Sequence, residues 1–532
     1  LTACSGKTPP AQPASAPGQP ATPAPVVKKV FRTAAVGKFS TLDPAKIETV
    51  SERMIVSNLV ETLFQQDVRS GQPVPRACGS YEVSPDGLKW KFILRKDLFW
   101  SNGKKIKGRD YVAALRRLLK PKTAAKIATK LTSIKNAQEI IDGAFYNPDD
   151  LGLKYYDQEN QSEVEITLIK PDPFLLFTLS QPETAPINSA DYDIREDEIF
   201  SMKQWVSSGP FVISQRSPSV YILQKNHHHR YYNSIKIDEV VFFTLGSVIE
   251  GEKMFMSGMI DQFGYTDLNI SERTTTTLAG TGYVKFQPDF KTVFLRLNIN
   301  QSPLNQFKLR QALAMGLDQN ALIESVALVG EKKAQSLISD ETKFYNPPHG
   351  YYANPTAAIE NLQSMGFCEK DGCGLLPKIT ILYPEVSSMR KIAGALVNQL
   401  KKSLQSNQIE AKSIDSKTFV ETVQKGNYAI ALDEIAVNTD DVFGFLHAFE
   451  SGNPLSGGYI NGEYDQLILQ ANATQNLVDT QKYYREAESM LLRDVVVIPL
   501  LYKTTPILLH TRVVGFIPNI WDQHPFELIQ LK

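Results

Sequence analysis

The side chains in this sequence whose type and spacing could do chemistry are two carboxylate pairs, a histidine run and two Ser-x-x-Lys spacings. Asp433/Glu434 and Asp440/Asp441 could serve as general acid and base, one carboxyl giving a proton while its neighbour takes one. A charged loop or the wall of a cation-binding cleft uses the same residues. His227-His228-His229-Arg230 offers imidazoles to a transition metal, but neighbours on an extended segment point to alternate sides and do not converge on one ion. A solvated loop is the expectation there, and no metal. Ser101/Lys104 and Ser388/Lys391 have the spacing of a penicillin-binding nucleophile without the Ser-Asp-Asn or Lys-Thr-Gly blocks that complete such a site. A Gly-x-Ser-x-Gly elbow, a His-Glu-x-x-His pair, a Walker-type loop and a Gly-x-Gly-x-x-Gly turn are all missing. These residues point away from an enzyme, and they call for no cofactor.

Composition sets the outer limits. The chain has 532 residues, with 57 Lys and Arg against 57 Asp and Glu, so it carries no basic excess to draw nucleic acid, and no nucleic-acid partner is expected. With 42% hydrophobic and 10% aromatic residues it has core material for several domains of ~150 residues. Its apolar runs are short, as in Val495 to Tyr502, well below the ~18 residues of a spanning helix.

Leu1-Thr2-Ala3-Cys4 resembles a bacterial lipobox, in which the Cys carries a diacylglyceryl group. Between Pro9 and Pro25, seven residues are Pro and five are Ala, a composition that fixes φ, removes amide donors and gives a stiff tether. The expectation is a protein lipid-anchored through Cys4 outside the cytoplasm, periplasmic or at the cell surface, where disulfides form. Cys368 and Cys373 sit in a polar Gly-rich turn where two thiols could close a small loop. Zinc is the rival, but no second pair or His cluster lies beside them. Cys78 is left over, and a buried thiol is the expectation.

The elements that must position these groups are mixed. Alternation of β-branched and aromatic residues predicts strands at 28–33, 89–95, 163–169, 211–215, 220–225 and 239–245, with Arg216-Ser217-Pro218-Ser219 as a hairpin-like turn. Ile392, Leu396, Val397, Leu400 and Leu404 recur along one helical face, and further helices are predicted at 308–326 and 479–493, the last followed by a strand at 495–502. The class is α/β or α+β. No second Pro-rich linker divides the body, which favours lobes joined by crossing segments around a cleft.

Several blocks identify a family resemblance. Leu42-Asp43-Pro44-Ala45-Lys46-Ile47-Glu48 leads to Asn58-Leu59-Val60-Glu61-Thr62-Leu63-Phe64, then to Tyr81 through Asp97, Trp100-Ser101-Asn102-Gly103-Lys104 and Gly108-Arg109-Asp110-Tyr111-Val112. Ser208-Gly209-Pro210-Phe211, Ser257-Gly258-Met259-Ile260-Asp261, Phe307 through Leu313, Gly462 through Leu467 and Val497-Ile498-Pro499-Leu500 follow in order. From about Val30 onward the sequence is similar to the large extracytoplasmic solute-binding proteins of ABC importers, the oligopeptide-binding group of the peptide/nickel-type family.

The resemblance implies an α/β, two-lobed periplasmic-binding-protein fold with an inserted smaller domain and a hinged ligand cleft. It implies residues 1–26 as lipobox and tether; 27–60, 186–290 and 505–532 as a discontinuous first lobe; 61–185 as the inserted domain; and 291–504 as the second lobe. The implied partners are an oligopeptide or peptide-like ligand, pairing through its backbone with cleft strands, and a membrane permease; a monomer is expected. Lys46 to Val50 matches the family's peptide-contacting strand, which nominates Glu48 and Val50. Gly264-Tyr265-Thr266 adds Tyr265 and Thr266.

Gly426 to Ile430 aligns before the family's ligand loop. Where its peptide binders carry Arg, Trp and an Asp that pairs with the ligand's amino group, this sequence has Leu432, Ile435 and Asn438. A neutral Asn supplies no charge-assisted bond, so Asp433, Glu434 and Asp440 are the alternatives for that anchor. Other ligands on the same fold (a cell-wall peptide, a sugar, a metal chelate), an acid/base enzyme and a structural surface lipoprotein remain as competing readings.

Overall fold

The protein is described from a computed structural model covering residues 28–144, 147, 150–188, 205–266, 268–326, 330–342, 345–436, 443–474 and 476–532. Cys4, the tether, Asn438, Asp440 and Asp441 lie outside these. Among the described residues, eleven strands form one mixed sheet. Its order is Ile409–Ile414, Ile379–Pro384, Ile430–Ala436, Val284–Leu297, Val497–Leu509, Gln262–Phe263, Val30–Val36, Glu239–Leu245, Val220–Lys225 and Phe211–Arg216, with Lys332–Lys333 laid against Val497–Leu509.

Val284–Leu297 and Val497–Leu509 span 14 and 13 residues and run antiparallel through both halves of the molecule. At one end they pack with Phe31, Phe242 and Phe263 around Leu508; at the other, Val293, Leu295 and Leu500 join Ile381, Leu396 and Ile430. Their ladder breaks between Pro288/Thr504 and Thr292/Tyr502, which leaves Asp289, Phe290 and Lys291 opposite Lys503. Pro288 has no amide to give a ladder, and surplus residues on one strand bend it. This bend lies between the two cores that the long strands join.

A separate sheet, Cys78–Val83, Lys89–Leu94, Ser162–Thr167 and Leu153–Asp157, is covered by the helix Gly108–Leu119. Tyr111, Leu115 and Leu118 fall on one helical face and close a third core with Phe92 and Val164. Two buried ionic contacts fix this smaller unit to the first lobe. Arg117 on its helix grips Asp43 through both Nη atoms, one at 2.8 Å. Glu61 accepts from Arg76 Nε at 3.2 Å, lies 3.1 Å from His229 Nε2 and pairs with Arg230.

The C-terminal segment closes the joint. Trp521 meets Phe290 at the bend edge-on, with ring centroids 4.8 Å apart. Gly71, in the smaller unit, lies against the same indole: it has φ +70°, and a Cβ there would fall 2.6 Å from Trp521 Nε1. Gly71→Ala therefore combines left-handed strain with a clash and is expected to cost about 1–3 kcal/mol in urea unfolding; a loss under about 0.5 kcal/mol would show that the indole yields freely.

All six strands predicted up to residue 245 are present, with ends shifted by up to three residues. The helix predicted over 308–326 is two, Phe307–Met315 and Gln319–Ser325. Asp318 separates them because its side chain accepts from Asn320 N at 2.9 Å and Ala321 N at 3.2 Å, starting a new helix where one would have continued. Cys368 and Cys373 are joined in a disulfide, and Cys78 is a buried free thiol that burial pushes up to about 11. His227 and His228 are exposed as a solvated loop requires, but His229 is buried against Glu61. Among the described residues no His/Cys/Asp/Glu group could hold a metal, and no helix is long and apolar enough to cross a membrane.

Candidate functional site at the junction of the lobes

A strand with one free edge ends at this bend. Ile430–Ala436 pairs along its whole length with the long strand, Ile435 facing Thr292 and Ala436 facing Lys291. On its other side only Ile430 and Ala431 pair, with Ile381 and Leu382. From Leu432 to Ala436, then, one edge has no strand partner among the described residues. Alternate residues of an edge strand turn their N–H and C=O groups outward. Glu434 is one of them, since its N–H points away from the long strand and donates to Asp433 Oδ1 at 2.9 Å. An exposed edge of this kind is a template for an extended chain.

Alternation also sorts the side chains. Leu432 is fully buried in the second lobe's core, so only its backbone can reach a ligand. Asp433 points to the other face and receives Arg296 through Nε at 3.0 Å and Nη2 at 2.9 Å, while Ile435, half-buried, packs on the aromatic cluster of Phe294 and Phe443. Glu434 shares the face of Leu432 but lies past the end of the core, open to solvent. Lys503 and Lys291 act on it electrostatically, each already paired: Lys503 with Glu331 and Lys291 with Asp289, both at 3.2 Å. Partial desolvation by the surrounding protein, with Asp289 and Asp433 nearby, raises the Glu434 carboxyl above its ordinary value, and the two lysines only partly offset this.

The first-lobe residues divide. Lys46 to Val50 is not a strand: Pro44–Lys46 is a 3-10 turn, and Thr49 caps the helix Val50–Val56 in a reciprocal box with Glu52. The Asp-Pro start and the Thr-x-x-Glu spacing favour turns and caps over a ladder. Glu48 is exposed beside Lys126, 3.5 Å from its Nζ, and half-buried Val50 packs on the first lobe's core. Tyr265 is buried, its hydroxyl accepting from Val36 N at 3.2 Å. Thr266 lies at the bend: its N–H donates to Asp522 Oδ2 at 2.8 Å, and its hydroxyl accepts from Gln287 of the long strand at 3.2 Å. The structure thus places Glu434 and Ile435 on one side of the bend and Thr266 on the other, puts Glu48 and Val50 on the turn and helix near the N-terminus, and commits the side chains of Leu432, Asp433 and Tyr265 to internal contacts.

Asp522 is the centre of the network at the bend. It also takes Gln287 Nε2 at 2.7 Å and lies 2.9 Å from His524 Nε2. Burial alone would raise its carboxyl, but the bonds from His524, Gln287 and Thr266 outweigh it and hold the group below the usual carboxylate range. Neither this network nor the Lys291, Lys503 and Glu331 set was anticipated. The one signal for it was the pair of prolines, Pro288 and Pro506, interrupting two runs that otherwise alternate as strands.

The chain belongs to the bacterial extracellular solute-binding proteins, family 5, whose middle region matches residues 72–457. It is 25% identical over 492 residues to the periplasmic murein peptide-binding protein MppA of Escherichia coli (strain K12), covering 90% of this chain and 88% of that one. The unliganded open form of the MppA murein tripeptide-binding protein superposes with a TM-score of 0.82 at 23% identity, over 95% of this chain and 97% of that one. Haemophilus influenzae OppA in complex with the peptide RPPGFSPFR gives 0.59 at 22% identity, over 95% and 99%. The architecture is the two-lobed fold of these periplasmic binding proteins.

Proposed function

We propose that this protein is the substrate-binding component of an ABC importer, held outside the membrane by a lipid on Cys4, which captures oligopeptides or peptide-like solutes between its lobes and passes them unaltered to a permease. The observation that carries the reading is the free edge from Leu432 to Ala436, lying where the two crossing strands bend. A peptide added there gains main-chain hydrogen bonds whatever its side chains, and water-filled space beside it tolerates different residues. The bend supplies the hinge: few ladder bonds cross it, so one lobe can turn on the other. The arrangement of the lobes, nearer the open form of MppA than the peptide complex of OppA, supports a state ready to receive cargo.

The domain limits that go with this reading are 27–60, 186–290 and 505–532 for the first lobe, 61–185 for the inserted unit and 291–504 for the second. Three cores centred on these parts support them in outline, with Ala45 and Ala185 packing across the limits and a fourth cluster joining Phe290 and Trp521 to the second lobe. The working form is a monomer without cofactor, and it does no covalent chemistry.

A mixed library of short peptides is expected to raise the thermal midpoint. A ligand at 100 times its Kd adds about 2.7 kcal/mol to native stability. Scattering should register compaction with the same peptides, and mass spectrometry should recover them intact. A library that moves neither the midpoint nor the radius of gyration, or a peptide returned cleaved, overturns the proposal.

A further inference from the structure

The strand Ile430–Ala436 has a second end, away from the bend. There Ile430 pairs with Leu297, ~20 Å along the long strand from Lys291. A groove of about 490 Å³ opens beside this end, lined by the side-chain amides of Asn298, Asn300, Gln301, Gln424 and Asn453. Among the described residues that line it none carries a carboxylate, and its cation, Lys425, stands 3.9 Å from Glu421. Gly426, Gly457 and Gly458 turn the chain around it with φ of +69°, +65° and +81°, so no side chain fills the space at those turns.

Three of the amides are set by backbone groups. Asn298 Nδ2 and Gln301 Nε2 both donate to Gly426 O, at 2.8 and 3.2 Å, while Asn453 gives to His447 O at 3.1 Å and takes Leu455 N at 2.9 Å. Asn300 is placed by shape, since a Cβ at Gly458 would collide with its Nδ2. The side chains of Asn300 and Gln424 nevertheless make no hydrogen bond among the described residues. Behind Gly457 the Tyr428 hydroxyl, on a side chain 3% exposed, has no partner either, and a Cβ at Gly457 would stand 3.4 Å from it. Burial pushes that hydroxyl up to about 12, so it keeps its proton and is an unused buried donor. Ile460, 78% exposed, borders the groove.

We infer that this groove binds a neutral saccharide, at a site separate from the peptide cleft and independent of it. A side-chain amide presents an acceptor and two donors next to each other, which matches adjacent hydroxyls that each give one bond and take others. Asn300 and Gln424 supply the unused amides, and Ile460 supplies apolar surface for the C–H face of a sugar ring. The lining offers no carboxylate to a cation, and its lysine already has Glu421, so a ligand gains little here from charge. Water bridges the polar groups that the sugar does not reach, the Tyr428 hydroxyl among them.

The test is calorimetry of the full chain with chitotriose and maltotriose at up to about 10 mM, joined to sedimentation with insoluble chitin. Wild type is compared with Asn300→Ala and Gln424→Ala. Both residues are exposed, so the variants should fold, and an unchanged thermal midpoint checks this. The expected result is saturable binding of a trisaccharide that each substitution weakens by about threefold to tenfold, with the affinity for short peptides unchanged. Binding of the soluble sugar alone identifies a free oligosaccharide as the ligand, and retention on chitin as well identifies a glycan surface; either supports the assignment. Wild type that binds neither sugar, or sugar binding that survives both substitutions or is displaced by peptide, overturns it. Peptide binding measured on the same samples keeps that outcome distinct from a failure of the peptide reading.

Discussion

Glu61→Ala is expected to lower the free energy of unfolding by about 3–5 kcal/mol, the largest effect foreseen for a single substitution here. The Glu61 side chain is 1% exposed and stands between Arg76, Arg230 and His229, while Arg76 reaches on to Glu527 with two contacts of 2.7 Å. Removing the carboxylate leaves Arg76, at 12% exposure, with Glu527 alone and takes from Arg230, at 9% exposure, the carboxylate it pairs with, and the cost is mainly that of buried charge without its counterion. With the domain limits proposed above, Glu61 opens the smaller unit, Arg230 belongs to the first lobe and Glu527 to the C-terminal segment, so the loss should appear as undocking of the smaller unit. Urea unfolding with a probe on that unit, Trp90 or Trp100 fluorescence, would register it, and a loss under about 1 kcal/mol would refute it.

The pH dependence has a definite sign. Burial would raise the Glu61 carboxyl, but Arg76, His229 and Arg230 outweigh that and hold it well below the usual range. Its contribution is therefore fully present above the unfolded value, about 4.5, and is lost as pH falls toward the folded one.

Glu488 should behave in the opposite sense. It is wholly buried in the second lobe, where Oε1 accepts Leu337 N at 2.7 Å and Ile338 N at 3.0 Å, and Oε2 accepts the Tyr345 hydroxyl at 2.7 Å. Burial dominates these bonds and pushes the carboxyl from 4.5 up to about 7. A folded value above the unfolded one means that the native state holds the proton more tightly. The corresponding stability is present below pH 4.5 and is lost as pH rises through about 7, to a total of about 3 kcal/mol.

Glu488→Gln keeps an amide oxygen for the two N–H groups and removes the charge. The gap in stability between variant and wild type should thus move in the variant's favour by about 3 kcal/mol between pH 5 and pH 8. Thermal unfolding of both proteins at the two pH values measures it, and a gap constant to within about 0.5 kcal/mol would refute the assignment. The two acids thus respond in separate windows: acidification from neutrality to about 4.5 strengthens the loop that Glu488 holds, and only below that does it weaken the ion lock at Glu61.

The different fates of these acids could not be read from their place in the chain. Glu61 stood within the Asn58 to Phe64 block that signals the family, and Glu488 stood on the helix predicted over 479–493, yet neither carried a sign of what would surround it. The same holds at the candidate site. The alternation that separates Leu432 and Glu434 from Asp433 was present in the sequence. That Leu432 enters a core and Asp433 meets Arg296, 137 positions away, followed only from the strand pairing. Lys46 to Val50 shows the reverse failure, since a match to a family strand was overridden by the local preference of Asp-Pro and Thr-x-x-Glu for a turn and a cap.

What the sequence determined by itself was local or collective: the strands whose β-branched alternation needs no partner to be recognised, the helix faces, the closely spaced cysteines, and a family resemblance spread over many blocks. The tertiary structure alone decided which edge of Ile430–Ala436 has no strand partner among the described residues, that Arg296 is the partner of Asp433, and where two long strands bend. The physical reason is that pairing, charge compensation and hinge position are properties of groups brought together from distant parts of the chain. Local propensity acts over a few residues, whereas a free edge or an unpaired charge is defined only by what has, and has not, folded beside it.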